Sequence, residues 1–123
     1  MAWKLNADRP IYLQLMEQIE LKIVVGEYAA GQRILSVREL AADAGVNPNT
    51  MQKALAELET RGLISTQRTN GKTITADSEK ISDLRIQLAK NEIVSFLQSM
   101  QGLGFNKEDI CGLIAKHNEE EEK

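Results

Sequence analysis

The chain has 123 residues and little of what most enzymes need: one cysteine, one histidine, two prolines and 4% aromatic residues. A single thiol, Cys111, excludes an intramolecular disulfide, and no Cys/His cluster has zinc-ligand spacing. His117 stands six positions from Cys111, which does not bring the two onto one helical face. No glycine-rich phosphate loop and no nucleophile motif occurs. The residues therefore argue against catalysis and call for no cofactor and no metal. No apolar run approaches the roughly 18 residues that cross a bilayer. Met1-Ala2-Trp3-Lys4-Leu5-Asn6 lacks the basic-then-apolar pattern of a signal peptide. The expected setting is a reducing cytoplasm, with no membrane partner.

Excess basic charge is lacking too, since the formal net charge is −3. Its distribution is uneven. Residues 1–76 carry 9 Lys/Arg against 8 Asp/Glu, whereas residues 77–123 carry 6 against 10. The acidic surplus lies in the C-terminal part and ends in the run Glu119 to Glu122, read as a solvated tail. Overall charge is thus silent about nucleic acid.

What is present is clear punctuation. Tyr12, Leu15, Met16, Ile19 and Ile23 recur at helical spacing behind Pro10, predicting a helix over about 11–25 that Gly26 stops. Ser36-Val37-Arg38-Glu39 reads as a capping box, opening a helix that Gly45 closes. Two residues later Asn47-Pro48 opens another, with Met51, Ala54, Leu55 and Leu58 as its buried stripe and Gly62 as its end. Two short helices joined by Gly45-Val46-Asn47 form a helix-turn-helix, and Ala41, Ala42 and Ala44 are small enough for close approach. Leu63 to Arg68 and Lys72 to Ala76 read as strands about the hairpin turn Asn70-Gly71, which makes a wing. From about Ser78 a long helix bears a wide apolar face and breaks at Gly102-Leu103-Gly104. Asn106 caps a last helix, expected to fray after His117. The predicted class is mostly α with a small β-wing: a winged helix-turn-helix domain (1–76), a two-helix segment (77–118) and an acidic tail (119–123).

A helix-turn-helix lays the N-terminal end of its second helix against base edges. That end holds Asn47, Pro48, Asn49, Thr50, Gln52 and Lys53. Asn and Gln pair bidentately with adenine, and Thr bonds either way or touches a thymine methyl. Ser36 stands at the start of the preceding helix. On the wing, Arg68, Asn70, Gly71 and Lys72 are the candidates, with Arg68 and Lys72 set to neutralise phosphates. Arg33 and Arg61 read as ordinary surface charges.

These residues resemble the GntR family of bacterial transcription factors. The resemblance is carried by Pro10-Ile11-Tyr12-Leu13-Gln14-Leu15. It continues through Gly26-x-Tyr28-x-x-Gly31-x-x-Ile34-Leu35-Ser36-Val37-Arg38-Glu39-Leu40-Ala41. It ends with Val46-Asn47-Pro48-Asn49-Thr50-Met51-x-x-Ala54-Leu55-x-x-Leu58-x-x-x-Gly62-Leu63-Ile64. Val-Asn-Pro-Asn-Thr and the short C-terminal part are similar to the YtrA subgroup. Leu35 stands where the family usually has Pro, and the wing lacks the common Gly-Lys-Gly. The resemblance implies that Arg38 contacts DNA and that the C-terminal helices dimerise. Leu84, Leu88, Ile93, Phe96, Leu97, Met100, Ile110, Leu113 and Ile114 are the apolar candidates for that contact. It also implies a regulator, a repressor in this reading, binding a pseudo-palindromic double-stranded operator as a homodimer. An unidentified small-molecule effector is compatible with this reading. The rival class is a winged-helix module whose second helix meets protein instead of DNA.

Overall fold

A computed structural model of the chain describes residues 3–34, 36–68 and 71–121. Packing divides it into two compact units, Met1–Arg85 and Ile86–Lys123.

The first unit is built on three helices, α1 (Ile11–Val24), α2 (Val37–Ala44) and α3 (Pro48–Thr60). Leu15, Ile19 and Ile23 of α1 are buried, as are Leu40 and Ala41 of α2 and Met51, Ala54, Leu55 and Leu58 of α3. The i, i+3, i+4 spacing of each set places it on one side of its helix. Helix α3 packs on both α1 and α2. Of the three alanines expected between α2 and α3, Ala41 is buried, Ala44 is half-buried and Ala42 faces solvent. One residue after Ala41 is a 100° rotation, which carries Ala42 off the packed face.

Both predicted caps form. Ser36 Oγ accepts from Glu39 N–H at 3.2 Å while Glu39 Oε1 accepts from Ser36 N–H at 3.3 Å. Gly45 ends α2 in the left-handed region, φ +72°, and Asn47 Oδ1 accepts from Asn49 N–H at 2.7 Å to open α3.

Strands β1 (Ile64–Gln67) and β2 (Gly71–Ile74) pair antiparallel, with Ile64 opposite Ile74 and Ser65 opposite Thr73. The strand expected over Lys72–Ala76 lies nearer the turn. Thr75 and Asp77 instead prepare the next helix: Thr75 Oγ1 accepts from Asp77 N–H, and Asp77 Oδ1 accepts from Glu79 N–H at 3.0 Å. A third segment joins the sheet through a single bridge from Arg33 to Thr73. The turn residue Asn70, and Leu35, lie outside the described residues.

Ahead of α1 residues 3–10 form no regular element, bend at residues 7–9 and are strapped to the helix by two glutamines. Gln14 Oε1 accepts from Asn6 N–H at 2.9 Å, and its Nε2 donates to the carbonyls of Asn6 and Arg9, both at 2.8 Å. Gln18 grips Lys4 in the same reciprocal way. Helix α4 (Ser78–Gly102) begins in this unit, where Arg85 donates to the Val24 carbonyl at 2.8 Å.

The second unit contains the rest of α4 and helix α5 (Lys107–Glu121). Asn106 caps α5 reciprocally with Asp109, at 2.8 and 3.1 Å. The helix continues past His117 to Glu121, contrary to the expected fraying, and places His117 Nε2 4.0 Å from Glu121 Oε2 one turn on.

Candidate nucleic-acid interface

Helix α3 is two-faced at its start. Met51, Ala54 and Leu55 are wholly buried, while Asn49, Gln52 and Lys53 are exposed and Thr50 is half-buried. The helix is held in place by the core, and its polar side is left over. Pro48 at the first helical position has no N–H to leave unsatisfied. The Asn47 side-chain oxygen is engaged in capping, while its amide nitrogen can donate to another partner. Lys53 Nζ sits 3.9 Å above the Tyr12 ring, a cation–π contact that aligns the ammonium without neutralising it. A hollow of about 430 Å³ borders the same turn, lined by Asn6, Ile11, Val46, Asn47 and Thr50 among others.

Arg38 is exposed on α2. The acids nearest it in sequence are committed elsewhere: Glu39 to the capping box, and Asp43 to the Trp3 indole N–H at 2.8 Å. Among the described residues Arg38 has neither a side-chain hydrogen bond nor an ion pair. Ser36, grouped with it from sequence, uses its hydroxyl to cap α2.

The wing's cations divide. Arg68 is exposed at the end of β1. Lys72, expected to face phosphates, turns toward α3: its Nζ lies 3.2 Å from Glu59 Oε2 and 2.8 Å from Thr66 Oγ1, and its side chain is 12% exposed. Thr66 donates to the other oxygen of the same carboxylate. These contacts hold the Glu59 carboxyl below its ordinary range, the Thr66 hydroxyl most and the Lys72 ammonium next. The period of two along a strand explains the turn inward. Lys72 shares a face with buried Ile74 and is opposite Thr66, whereas Ser65, Gln67 and Thr73 lie on the other face. Gly71 holds φ +69°, as a tight hairpin requires.

Arg61, read from sequence as a surface charge, binds buried Glu20 at 3.1 Å and joins the end of α3 to α1. Sequence pattern gave no sign of that pair because its partners are 41 positions apart. The same holds for the wing position of Arg33.

In the second unit, the apolar candidates differ in exposure. Ile93, Phe96, Leu113 and Ile114 are 56, 39, 44 and 50% exposed, and Leu88, Leu97 and Met100 are half-buried. Ile110 is buried within the single chain, as is Leu84 at the start of α4. Four further exposed apolar residues, Ile86, Val94, Leu103 and Phe105, were not among the candidates.

Three helices with a helix-turn-helix and a two-stranded wing define a winged helix-turn-helix protein, a class that binds DNA through the second helix of the motif. Comparison with known proteins narrows the class. Residues 11–74 match the family model "Bacterial regulatory proteins, gntR family". The chain is 35% identical over 105 residues to the uncharacterized HTH-type transcriptional regulator YhcF of Bacillus subtilis, covering 85% of this chain and 87% of that one. It is 40% identical over 74 residues to the HTH-type transcriptional repressor YtrA of the same organism, covering 60% and 57%. A GntR family transcriptional regulator from Listeria monocytogenes superposes with a TM-score of 0.83 at 43% identity, over 91% of this chain and 98% of that one. The chain belongs to the GntR family, is YtrA-like within it, and is a DNA-binding transcriptional regulator without enzymatic activity.

Proposed function

We propose that the chain represses transcription by binding a pseudo-palindromic operator as a homodimer in the cytoplasm. The observation that carries this reading is the first part of α3, where Asn49, Gln52 and Lys53 are presented to solvent by a helix whose other face is wholly buried. Asn49 and Gln52 have the amide chemistry that reads adenine, and Thr50 the hydroxyl and methyl that read thymine. Pro48 and the free amide of Asn47 stand at the helix terminus, where the N–H groups and helix dipole favour a phosphate. Arg38 and Arg68 supply charge on either side, and Gly71 lets the wing backbone approach the groove closely.

Dimerisation is supported by the exposed apolar residues of the second unit, Ile93, Phe96, Leu113 and Ile114 in particular, which a second copy would cover. In this reading residues 1–76 bind DNA and residues 77–118 dimerise. Joining two half-site interactions raises both affinity and specificity, with half-sites about 10 bp apart or a multiple of that. The repressor sign is supported by the similarity to YtrA, an HTH-type transcriptional repressor. A small-molecule effector is compatible with this reading.

The test is a fluorescence-anisotropy titration against DNA from upstream of the chain's own gene, at several salt concentrations. Sequence-preferring binding at two protomers per site is expected, with Arg38→Ala and Gln52→Ala each weakening it by about tenfold or more. Unchanged affinity in both variants would overturn the contact assignment. No binding at low salt would favour a protein-interaction module.

A further inference from the structure

Arg33 lies outside the helix-turn-helix, yet its backbone is part of the wing. Ile34 N–H donates to the Lys72 carbonyl at 2.9 Å and Ile74 N–H to the Gln32 carbonyl at 2.8 Å, placing Arg33 directly opposite Thr73. Directly opposed residues of an antiparallel pair project to the same face. Arg33 therefore shares the outer face with Thr73 and Ser65, whose hydroxyls meet at 3.0 Å, and not the inner face that holds Lys72. From there its guanidinium runs toward the turn. A Cβ built on Gly71 would lie 3.7 Å from Arg33 Nε and 3.9 Å from Nη2.

Lys72 and Arg33 are thus one sheet position apart in role but opposite in state. Lys72 is largely buried and its charge is offset by Glu59. Arg33 is exposed and, among the described residues, has no ion pair and no side-chain hydrogen bond. Its backbone is tied into the sheet, so less freedom is lost when its head engages a ligand than for a residue on a loose loop. The guanidinium fork matches the paired oxygens of a phosphate.

We infer that Arg33, rather than Lys72, is the cation that this side of the wing offers to the DNA backbone, taking a phosphate beside the groove the wing approaches. The inference rests on the operator-binding reading. It makes Arg33 a contact that positions the protein on DNA without reading sequence, so its loss should weaken all DNA sequences alike.

Wild type, Arg33→Ala, Arg33→Gln, Arg33→Lys and Gln52→Ala would be titrated by anisotropy against the upstream DNA and a scrambled duplex, from low salt to 0.3 M. Thermal melting by circular dichroism would accompany each. Arg33→Ala and Arg33→Gln should keep the wild-type melting temperature. Both should bind roughly fivefold more weakly per protomer at 0.15 M salt, with the slope of log K on log salt shallower by about 0.9 per protomer. Arg33→Lys should restore the slope. An unaltered slope in both neutral variants, with Gln52→Ala still losing sequence preference, would overturn the inference and leave the operator reading standing. Absence of salt-dependent DNA binding by the wild type would overturn both.

Discussion

The indole N–H of Trp3 donates to Asp43 Oδ2 at 2.8 Å, joining two residues 40 positions apart and fastening the N-terminal strap to α2. Lys22 Nζ lies 4.8 Å from the same ring's centre, so the indole is held on two sides. Trp3 is the chain's single tryptophan. Asp43→Ala should therefore shift the intrinsic fluorescence to longer wavelength as the indole gains solvent, while costing under about 1 kcal/mol because the bond is exposed. An emission spectrum identical to wild type would mean that the bond does not hold the strap in solution.

Gln14 makes three hydrogen bonds to the strap and is 5% exposed. Gln14→Ala removes all three and leaves polar backbone near apolar surface, at a cost of about 2 kcal/mol. Urea denaturation should reveal the loss, and limited proteolysis should cut residues 3–9 sooner. Gln14→Glu keeps the size and the acceptor but has no donor for the two carbonyls, so it should not rescue. A midpoint within error of wild type for both variants would refute the strap's contribution.

Glu59 provides the pH test. Its folded pKa is lowered, first by the Thr66 hydroxyl and then by Lys72. A lowered folded pKa means that the charged form is favoured in the fold. The stabilisation is present above the ordinary carboxylate range and lost as pH falls through the folded value. Glu59→Gln should therefore be less stable than wild type at pH 7, by about 1 kcal/mol for a partly exposed charge-assisted bond. The gap should close on acidification below the usual carboxylate range. Parallel melting curves of constant separation down to that pH would contradict it.

Ile93 and Ile110 separate an interface from a core. Ile93 is 56% exposed and Ile110 is 2% exposed. Ile93→Asp should yield a folded protein of lower mass by light scattering, because a charge on a shared apolar surface opposes association. Ile110→Asp should unfold the second unit itself, since an unpaired buried carboxylate costs several kcal/mol. A folded Ile93→Asp variant with the mass of wild type would remove that residue from the dimer contact.

Much of the first unit was legible in local signals. Ser36 and Glu39, Gly45, Asn47 and Pro48 are each read within four residues, and capping chemistry is as short-ranged as that. The exposed polar side of α3 was legible for the same reason, because exposure on a helix follows from spacing once the apolar side is known. Arg61 and Arg33 were not legible, since an ion pair to Glu20 and a bridge to Thr73 depend on segments that meet only in the folded chain. Lys72 lies between these cases. Its alternation with Ile74 was visible, but the Glu59 carboxylate waiting on that face was not.

What the sequence alone determined is therefore the element order, the caps and the polar side of α3, all products of interactions within a turn or two of the chain. Tertiary structure decided which wing cation is spent on Glu59 and which stays exposed, how Trp3 and Gln14 secure the strap, and which apolar residues of α4 and α5 the single chain already covers. Those outcomes depend on groups far apart in sequence coming within a few ångströms, and charge and apolar surface have no local pattern that announces their partners.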